Sequence, residues 1–443
     1  MGKSFQYAQT LRELARTIVG DGDPAPLDAF WDEHKMAEQD NESSTQDAQP
    51  LEGYQKTRGL STTSLQTPST NSALPPHHPA LAMSQLLRAF GPLIFPLVRA
   101  ALLQKRILML GEAPVETTCN YVYAVSIFSS ISRSVAANVP GSDRSNLYLR
   151  PLFNVGVSDI PTLEHLEGSW IACTTDDVLA SKPHLFDMLV ILPSSSMLQK
   201  HTNKTYPKII HSSPELSKQF PKQGLRATQR DARRATALKT SLQSLPSGAA
   251  YDTTDRYQST DDNASTTTTS SVNTVFDHKE AVEPTPWSVI AYTSLIWWVS
   301  AGDRRSGLME AEELANEQDE ALLRDSLAEE GTTKEVAIVA YFHRLSSLVF
   351  EVLGGAIRRH ENRYRDEHDE EQEGVRDEQA LLLTKDNSDD NVVEVTAEDI
   401  GAMGLDIWSE ADRKFVEEMV RLWWNREATV RGGSIECCGV RIM

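Results

Sequence analysis

The sequence predicts an α/β fold: a mostly parallel central sheet with flanking helices, then a C-terminal helical region, the ordered parts joined by long disordered linkers. Three observations carry this. Short apolar runs of strand length (RILML, PLFNVGV, WIACT, MLVIL) alternate with helical text between Arg106 and Leu192, the order expected of a parallel sheet. From Pro286 onward, long stretches place apolar residues at helical spacing. Between these regions lie polar tracts without periodicity, and they lower the mean hydropathy to −0.38, so a real core is diluted by segments unable to form one.

Residues 1–35 read as one amphipathic helix, with Leu11, Leu14, Ala15 and Ile18 on a shared face, and a short second one carrying Leu27, Phe30 and Trp31 after the GDGDPAP break. Residues 36–80, rich in Gln, Ser, Thr and Asn, read as a disordered linker. The α/β core occupies residues 81–193. It opens with LAMSQLLRAFGPLIFPLVRAALLQK, where Pro92 and Pro96 divide the helical text into two abutting segments. A strand at Arg106–Leu110 and the turn GEAP lead into a strong helix presenting Tyr121, Val122, Val125, Phe128 and Ile131 on one side. Three further strands complete the sheet.

Residues 194–285 read as a disordered insertion, basic in its first half and Ser/Thr-rich in its second. Residues 286–443 form the helical C-terminal part. WSVIAYTSLIWWVSA, Trp287–Ala301, is a core helix, too short at 15 residues for the roughly 20 that a membrane span needs. EVAIVAYFHRLSSLVFEVLGGAI is a second helix, and MEAEELANEQDEALL between them is surface text. An acidic mobile loop is placed near 361–391, then a helix pair, TAEDIGAMGLDIW and SEADRKFVEEMVRLWW, and a terminal strand, IECCGVRI. In each tryptophan pair, Trp297–Trp298 and Trp423–Trp424, one ring should face inward and its neighbour outward.

The formal net charge of −20 and a pI near 5.0 argue against a general nucleic-acid partner, which needs cations against phosphates. The exception is local: a basic run between Lys200 and Lys239 that includes Arg226, Arg230, Arg233 and Arg234. It is a candidate for peripheral contact with anionic membrane, weighed against a solvated loop. The four cysteines, Cys119, Cys173, Cys437 and Cys438, suggest no disulfide framework, and a reducing, cytoplasmic setting is expected. Cys437 and Cys438 invite lipidation as a guess, but buried thiols of a terminal strand are the preferred reading.

Motifs for bond-making chemistry are lacking in the sequence. LGEAPVETT sits where phosphates bind in dinucleotide folds, but neither GxGxxG nor GxxxxGK[ST] is there. No GxSxG elbow or HExxH motif occurs, and His165, His184 and His343 are scattered, satisfied or solvated. Cys173 reads as an inert core thiol. The sharpest candidate is TTDD, Thr174–Asp177, whose spacing suits a capping box with the aspartates in the first turn of a short helix ended by Pro183. No catalytic, cofactor-binding or metal-binding residue is therefore assigned, and no cofactor is expected.

As a block, FGPLIFPLVRAALLQKRILML, PLFNVGVSDIPTLE and WIACTTDDVLASKPHLFDMLVILP resemble the central part of a DENN domain, of the LCHN type and its uncharacterised fungal branch. FVEEMVRLWWNREATVRGGSIECCGVRI resembles the same branch, and GKSFQYAQTLRELARTIV with LDAFWDEH resembles the segment closing the N-terminal longin module. The resemblance implies that residues 1–35 are the helical remnant of a longin-like module most of which is missing. It implies guanine-nucleotide exchange on a Rab-type small GTPase in vesicle traffic, an activity that loss of the longin lobe puts in question. It also implies a cytoplasmic protein, peripheral on membranes. A non-catalytic GTPase-binding or membrane-traffic adaptor is the alternative.

Overall fold

The computed structural model describes residues 8–21, 26–27, 29–30, 74–75, 77–137, 139, 147–194, 205–212, 224–246, 280–285, 287, 290, 294, 307–327, 332–374, 392–430, 436–437 and 440–441. The chain divides into two units, Met1–Leu81 with Gly248–Thr260, and Ala82–Ser247 with Asp261–Met443. In the first, α1 (Ala8–Asp21) is the amphipathic helix that the sequence predicts, with Leu11 39% exposed. The linker expected at 36–80 lies outside the described residues as far as Ala73.

The second unit is built on a five-stranded sheet, order β2-β3-β1-β4-β5, comprising β1 (Ile107–Leu110), β2 (Arg150–Asn154), β3 (Trp170–Thr174), β4 (Met188–Ile191) and β5 (Lys208–His211). The first four run parallel and β5 pairs antiparallel with β4. Every residue of β3 is buried, as befits an inner strand covered on both faces. The edge strand β2 is irregular: it contains Pro151, its register shifts between Pro151 and Phe153, and Phe153 sits at φ +61°.

Helices flank the sheet as the sequence predicts. The proline-containing text forms α2 (Met83–Phe90) and α3 (Ile94–Leu102), joined by a 3-10 turn at Gly91–Leu93. Gly91 at φ +53° makes that break, and Pro96 sits in the first turn of α3, where a missing N–H costs nothing. Beyond the 3-10 turn, α4 (Glu116–Phe128) buries Tyr121, Val122, Val125 and Phe128. The long helix α10 (Lys334–Gly374) lies against it. Phe128 stacks on Phe342 at 4.5 Å between centroids, and Phe95 meets Phe342 at 5.8 Å and Tyr341 at 6.4 Å. His343 Nε2 reaches the Ile127 carbonyl at 2.8 Å, so this histidine closes the end of α4.

The insertion expected to be disordered is ordered at Thr205–Ser212 and Gly224–Pro246, which hold β5 and α8 (Gln229–Gln243). Charge is the reason. A basic stretch reads as solvated, yet Arg230 is 5% and Arg234 3% exposed, both paired with Asp319 of α9 (Gly307–Leu327). Arg230 Nη1 also donates to the Gly401 carbonyl at 3.0 Å, and Arg234 Nη1 to that of Gly404 at 2.7 Å, at the end of α11 (Ala397–Ala402). The text expected as surface, MEAEELANEQDEALL, thus supplies the counter-ion. Burial pushes the Asp319 carboxyl up, but Arg234 and Arg230 outweigh it and hold it below the usual range. Arg230 and Arg234 are consequently out of reach of a lipid surface.

Three further expectations change. Residues 361–374, assigned to the acidic loop, continue α10, since Glu, Arg and Gln are good helix formers; residues 375–391 lie outside the described residues. Of Trp287–Ala301, only Trp287, Ile290 and Ser294 are described: Trp287 is 84% exposed and Ile290 41%, so neither belongs to a core. Trp423 and Trp424, on α12 (Glu410–Trp424), are both buried, because Phe350 lies close enough to meet both rings, at 5.2 and 5.8 Å. The parallel pair β6 (Val392–Val395) with β7 (Glu427–Val430) was not anticipated. The terminal strand resolves into β8 (Glu436–Cys437) and β9 (Val440–Arg441), an antiparallel pair. Pro79–Leu102 and Lys334–Arg363 are long and apolar enough to cross a membrane, but their most apolar windows are 61% and 50% buried within the fold.

A carboxylate-rich junction joins α3, α8 and α12. Asp231 Oδ1 and Oδ2 accept from Arg99 at 3.0 and 2.6 Å, and Asp412 Oδ1 stands 3.4 Å from the same guanidinium. Glu283 accepts from Ser409 Oγ at 3.4 Å. Burial, then Asp412 and Asp406, pushes the Glu283 carboxyl up to about 7. Burial likewise pushes Asp412 up to about 6, against the pull of Arg99.

Two outcomes follow from these charges. Arg234→Ala leaves Asp319 with one guanidinium fewer in a buried setting and should cost about 3 kcal/mol in urea unfolding, whereas Arg234→Met should cost less. Glu283 and Asp412 bind their protons more tightly folded than unfolded. Their contribution is therefore complete below the unfolded pKa and is lost as pH rises through about 6 and 7. The unfolding midpoint should fall between about pH 5 and pH 8, and Glu283→Gln should restore about 1 kcal/mol at the upper end.

Candidate functional site at the carboxyl edge of the sheet

The four parallel strands end on one side, and the segments leaving them form the place where open α/β sheets carry their sites. Gly111 follows β1 and donates its N–H to the Thr174 carbonyl at 3.0 Å. A Cβ at Gly111 would stand 2.7 Å from Thr118 Oγ1, so the glycine lets the chain turn tightly against the start of α4. This is a packing role. Glu116 stands in the first turn of α4, and a carboxylate near the helix N–H groups disfavours a phosphate there.

The TTDD knot starts a helix, as expected, but through different atoms. Thr174 is the buried last residue of β3, and its Oγ1 accepts from the Asp176 N–H at 3.1 Å. Asp176 is the N-cap of α7 (Asp177–Ala180), its Oδ1 accepting from the Val178 N–H at 3.0 Å. The Thr174–Asp177 capping box does not form, because Thr174 is still held in the strand ladder. After β2, Asp159 Oδ2 likewise accepts from the Gly156 N–H at 2.8 Å. Asp159 and Asp176 are thus occupied in starting turns, and Val157 and Val178 project from the same turns 46% and 48% exposed.

Beneath the edge lies a pair that no local sequence pattern announces. Cys119, in the second turn of α4, and Cys173 of β3 bring their sulfurs to 3.5 Å. Cys173 is 1% exposed, as a core thiol should be, while Cys119 is half-buried. The two thiols share a hydrogen bond, and with the Asn154 N–H it holds the Cys119 thiol below its ordinary value, against burial. The same contact, with burial, pushes Cys173 up. The pair is 54 residues apart in sequence, and only the crossing of α4 over β3 joins it.

The other predicted groups are dispersed. His184 Nε2 meets Glu164 at 3.2 Å on the surface. Among the described residues no group of three or more His, Cys, Asp or Glu is arranged to hold a metal ion. Two cavities, about 40 and 80 Å³, lie between α3, α10 and α12 and between α3, β4 and α12. Their space suits a few waters rather than a nucleotide or coenzyme, and none of Thr174–Asp177 lines either.

Two stretches of the chain are similar to known protein families. Residues 1–202 match the family model described as DENN domain-containing protein 11, and residues 282–443 match a domain of unknown function, DUF4484. The chain is 27% identical over 361 residues to the uncharacterized protein ANR2 of Saccharomyces cerevisiae, covering 80% of this chain and 57% of that one. It is 32% identical over 191 residues to DENN domain-containing protein 11 of Danio rerio (42% of this chain, 35% of that one). It is 37% identical over 132 residues to the uncharacterized protein C119.16c of Schizosaccharomyces pombe (29% and 27%). The chain therefore spans less than two thirds of these relatives. No solved structure matches. Over residues 1–202, somewhat under half of its length, the chain is similar to DENN domain-containing protein 11.

Proposed function

We propose that this chain engages a Rab-type small GTPase in membrane traffic and promotes release of its bound nucleotide. The observation that carries the reading is the match of residues 1–202 to DENN domain-containing protein 11, since DENN domains generally act as Rab exchange factors. The physical demand of that activity suits what the carboxyl edge offers. Exchange breaks no covalent bond; it requires a surface that binds the nucleotide-free GTPase more tightly than the loaded one, a coupling between two ligands on the GTPase. Turns anchored by Asp159 and Asp176, with Val157 and Val178 exposed beside them, suit a protein partner better than a small substrate. The reading places the protein in the cytoplasm and, while engaged, at a membrane surface. Of the basic residues between Lys200 and Lys239, Lys208 and Lys239 are exposed and available to such a surface.

The test is release of fluorescent GDP from a panel of purified Rab GTPases. Acceleration of one or a few members by about tenfold or more is expected, within the range of typical binding couplings. Binding of a Rab in pull-downs without acceleration, regardless of nucleotide, would make the chain an adaptor. Neither binding nor acceleration across the panel would sink the proposal.

A further inference from the structure

The most chemically distinctive group outside the proposed GTPase surface is the pair Cys119 and Cys173. Both are free thiols with sulfurs 3.5 Å apart, on different elements, one half-buried and one fully enclosed. A disulfide needs about 2.05 Å and a particular torsion, so the sulfurs must close the gap from 3.5 Å to bond. The two positions are also unequal. Cys119 is half-buried, and the Cys173 contact and the Asn154 N–H lower it from the ordinary thiol value; Cys173 is enclosed in the strand, where the same contact and burial push it up. A partly accessible thiol beside a second, sheltered one is the arrangement of a peroxide-reactive cysteine and its resolving partner.

We propose that Cys119 and Cys173 form a reversible disulfide under hydroperoxide, linking the second turn of α4 to β3 immediately below the carboxyl edge. In the first step the Cys119 thiolate attacks one peroxide oxygen. An S–O bond forms, the O–O bond breaks, and the departing hydroxide takes a proton to leave as water. In the second, the Cys173 sulfur attacks the sulfenic sulfur of Cys119. The S–S bond forms, the S–O bond breaks, and hydroxide leaves with the Cys173 proton as a second water. The two sulfurs together lose two electrons and the peroxide gains them; a dithiol reverses the bridge.

The experiment uses the full chain with Cys437→Ser and Cys438→Ser, so that no other thiol competes. It is treated with hydrogen peroxide, alkylated and digested for mass spectrometry. Loss of both thiols, a peptide joining Cys119 to Cys173, and their return with dithiothreitol are expected. In the same background Cys173→Ser should stop at a sulfenic acid on Cys119, trapped by dimedone, and Cys119→Ser should leave Cys173 reduced. At neutral pH, alkylation of Cys119 should outpace that of Cys173 by about tenfold or more. The unsubstituted pair needs no folding control. The proposal is overturned if both thiols survive peroxide that oxidises a free cysteine peptide, if the bridge forms only in urea, or if Cys173 is oxidised as readily without Cys119.

Discussion

The carboxylate of Asp231 performs two tasks that elsewhere fall to separate residues. Its Oδ2 accepts from the Thr228 N–H at 3.2 Å and completes the capping box that starts α8, and both its oxygens hold Arg99 of α3. The point at which α8 becomes helical is therefore also the point at which it is fastened to the core. Three residues further along α8, Arg234 carries the fastening on to Asp319 and to the end of α11. Through this chain of charges the insertion is tied to α3 and to the C-terminal helices. Such a network is demanding, because each member relies on the others to remain charged where water is scarce. Gly404 shows how closely it is fitted: at φ +75°, a Cβ there would stand 2.1 Å from an Arg234 nitrogen.

Much of the sheet was legible in the sequence. WIACT corresponds residue for residue to β3, and the other inner strands were found to within two residues at their ends, because a strand buried on both faces must be continuously apolar. The helices are legible where a stripe meets the core, as in α4; of the two prolines expected to divide them, Pro92 lies at the break and Pro96 within the following helix. What escaped was the structure made by charge. QRDARRATALK reads as part of a solvated, disordered loop, because its counter-ion at Asp319 and the carbonyls of Gly401 and Gly404 lie far along the chain. Likewise, Trp423 and Trp424 read as an inward–outward pair only when α12 is imagined on one wall; Phe350 of α10 gives the second ring a place.

At the carboxyl edge the helix-starting role of the aspartates was legible, but not which residue caps. Thr174 could be a cap by spacing, yet its backbone is committed to β1, so the duty passes to Asp176. Cys173 was correctly read as enclosed. Its partner was invisible, since no local pattern relates position 119 to position 173. Only the parallel order β3-β1, with α4 crossing above, turns two unrelated thiols into neighbours.

The irregular edge strand β2 has a consequence for how anything can attach to this sheet. A regular outer strand offers a row of free amides and carbonyls that another chain can extend, whether a partner or a misfolded copy. Here Pro151 withholds one donor, the shifted register disturbs the spacing of the rest, and Phe153 turns the main chain into the left-handed region. Strand addition at this margin is obstructed by the backbone itself. A visiting protein on the β2 side must be recognised by side chains and turns, and the same irregularity spares the molecule from self-assembly through its open margin.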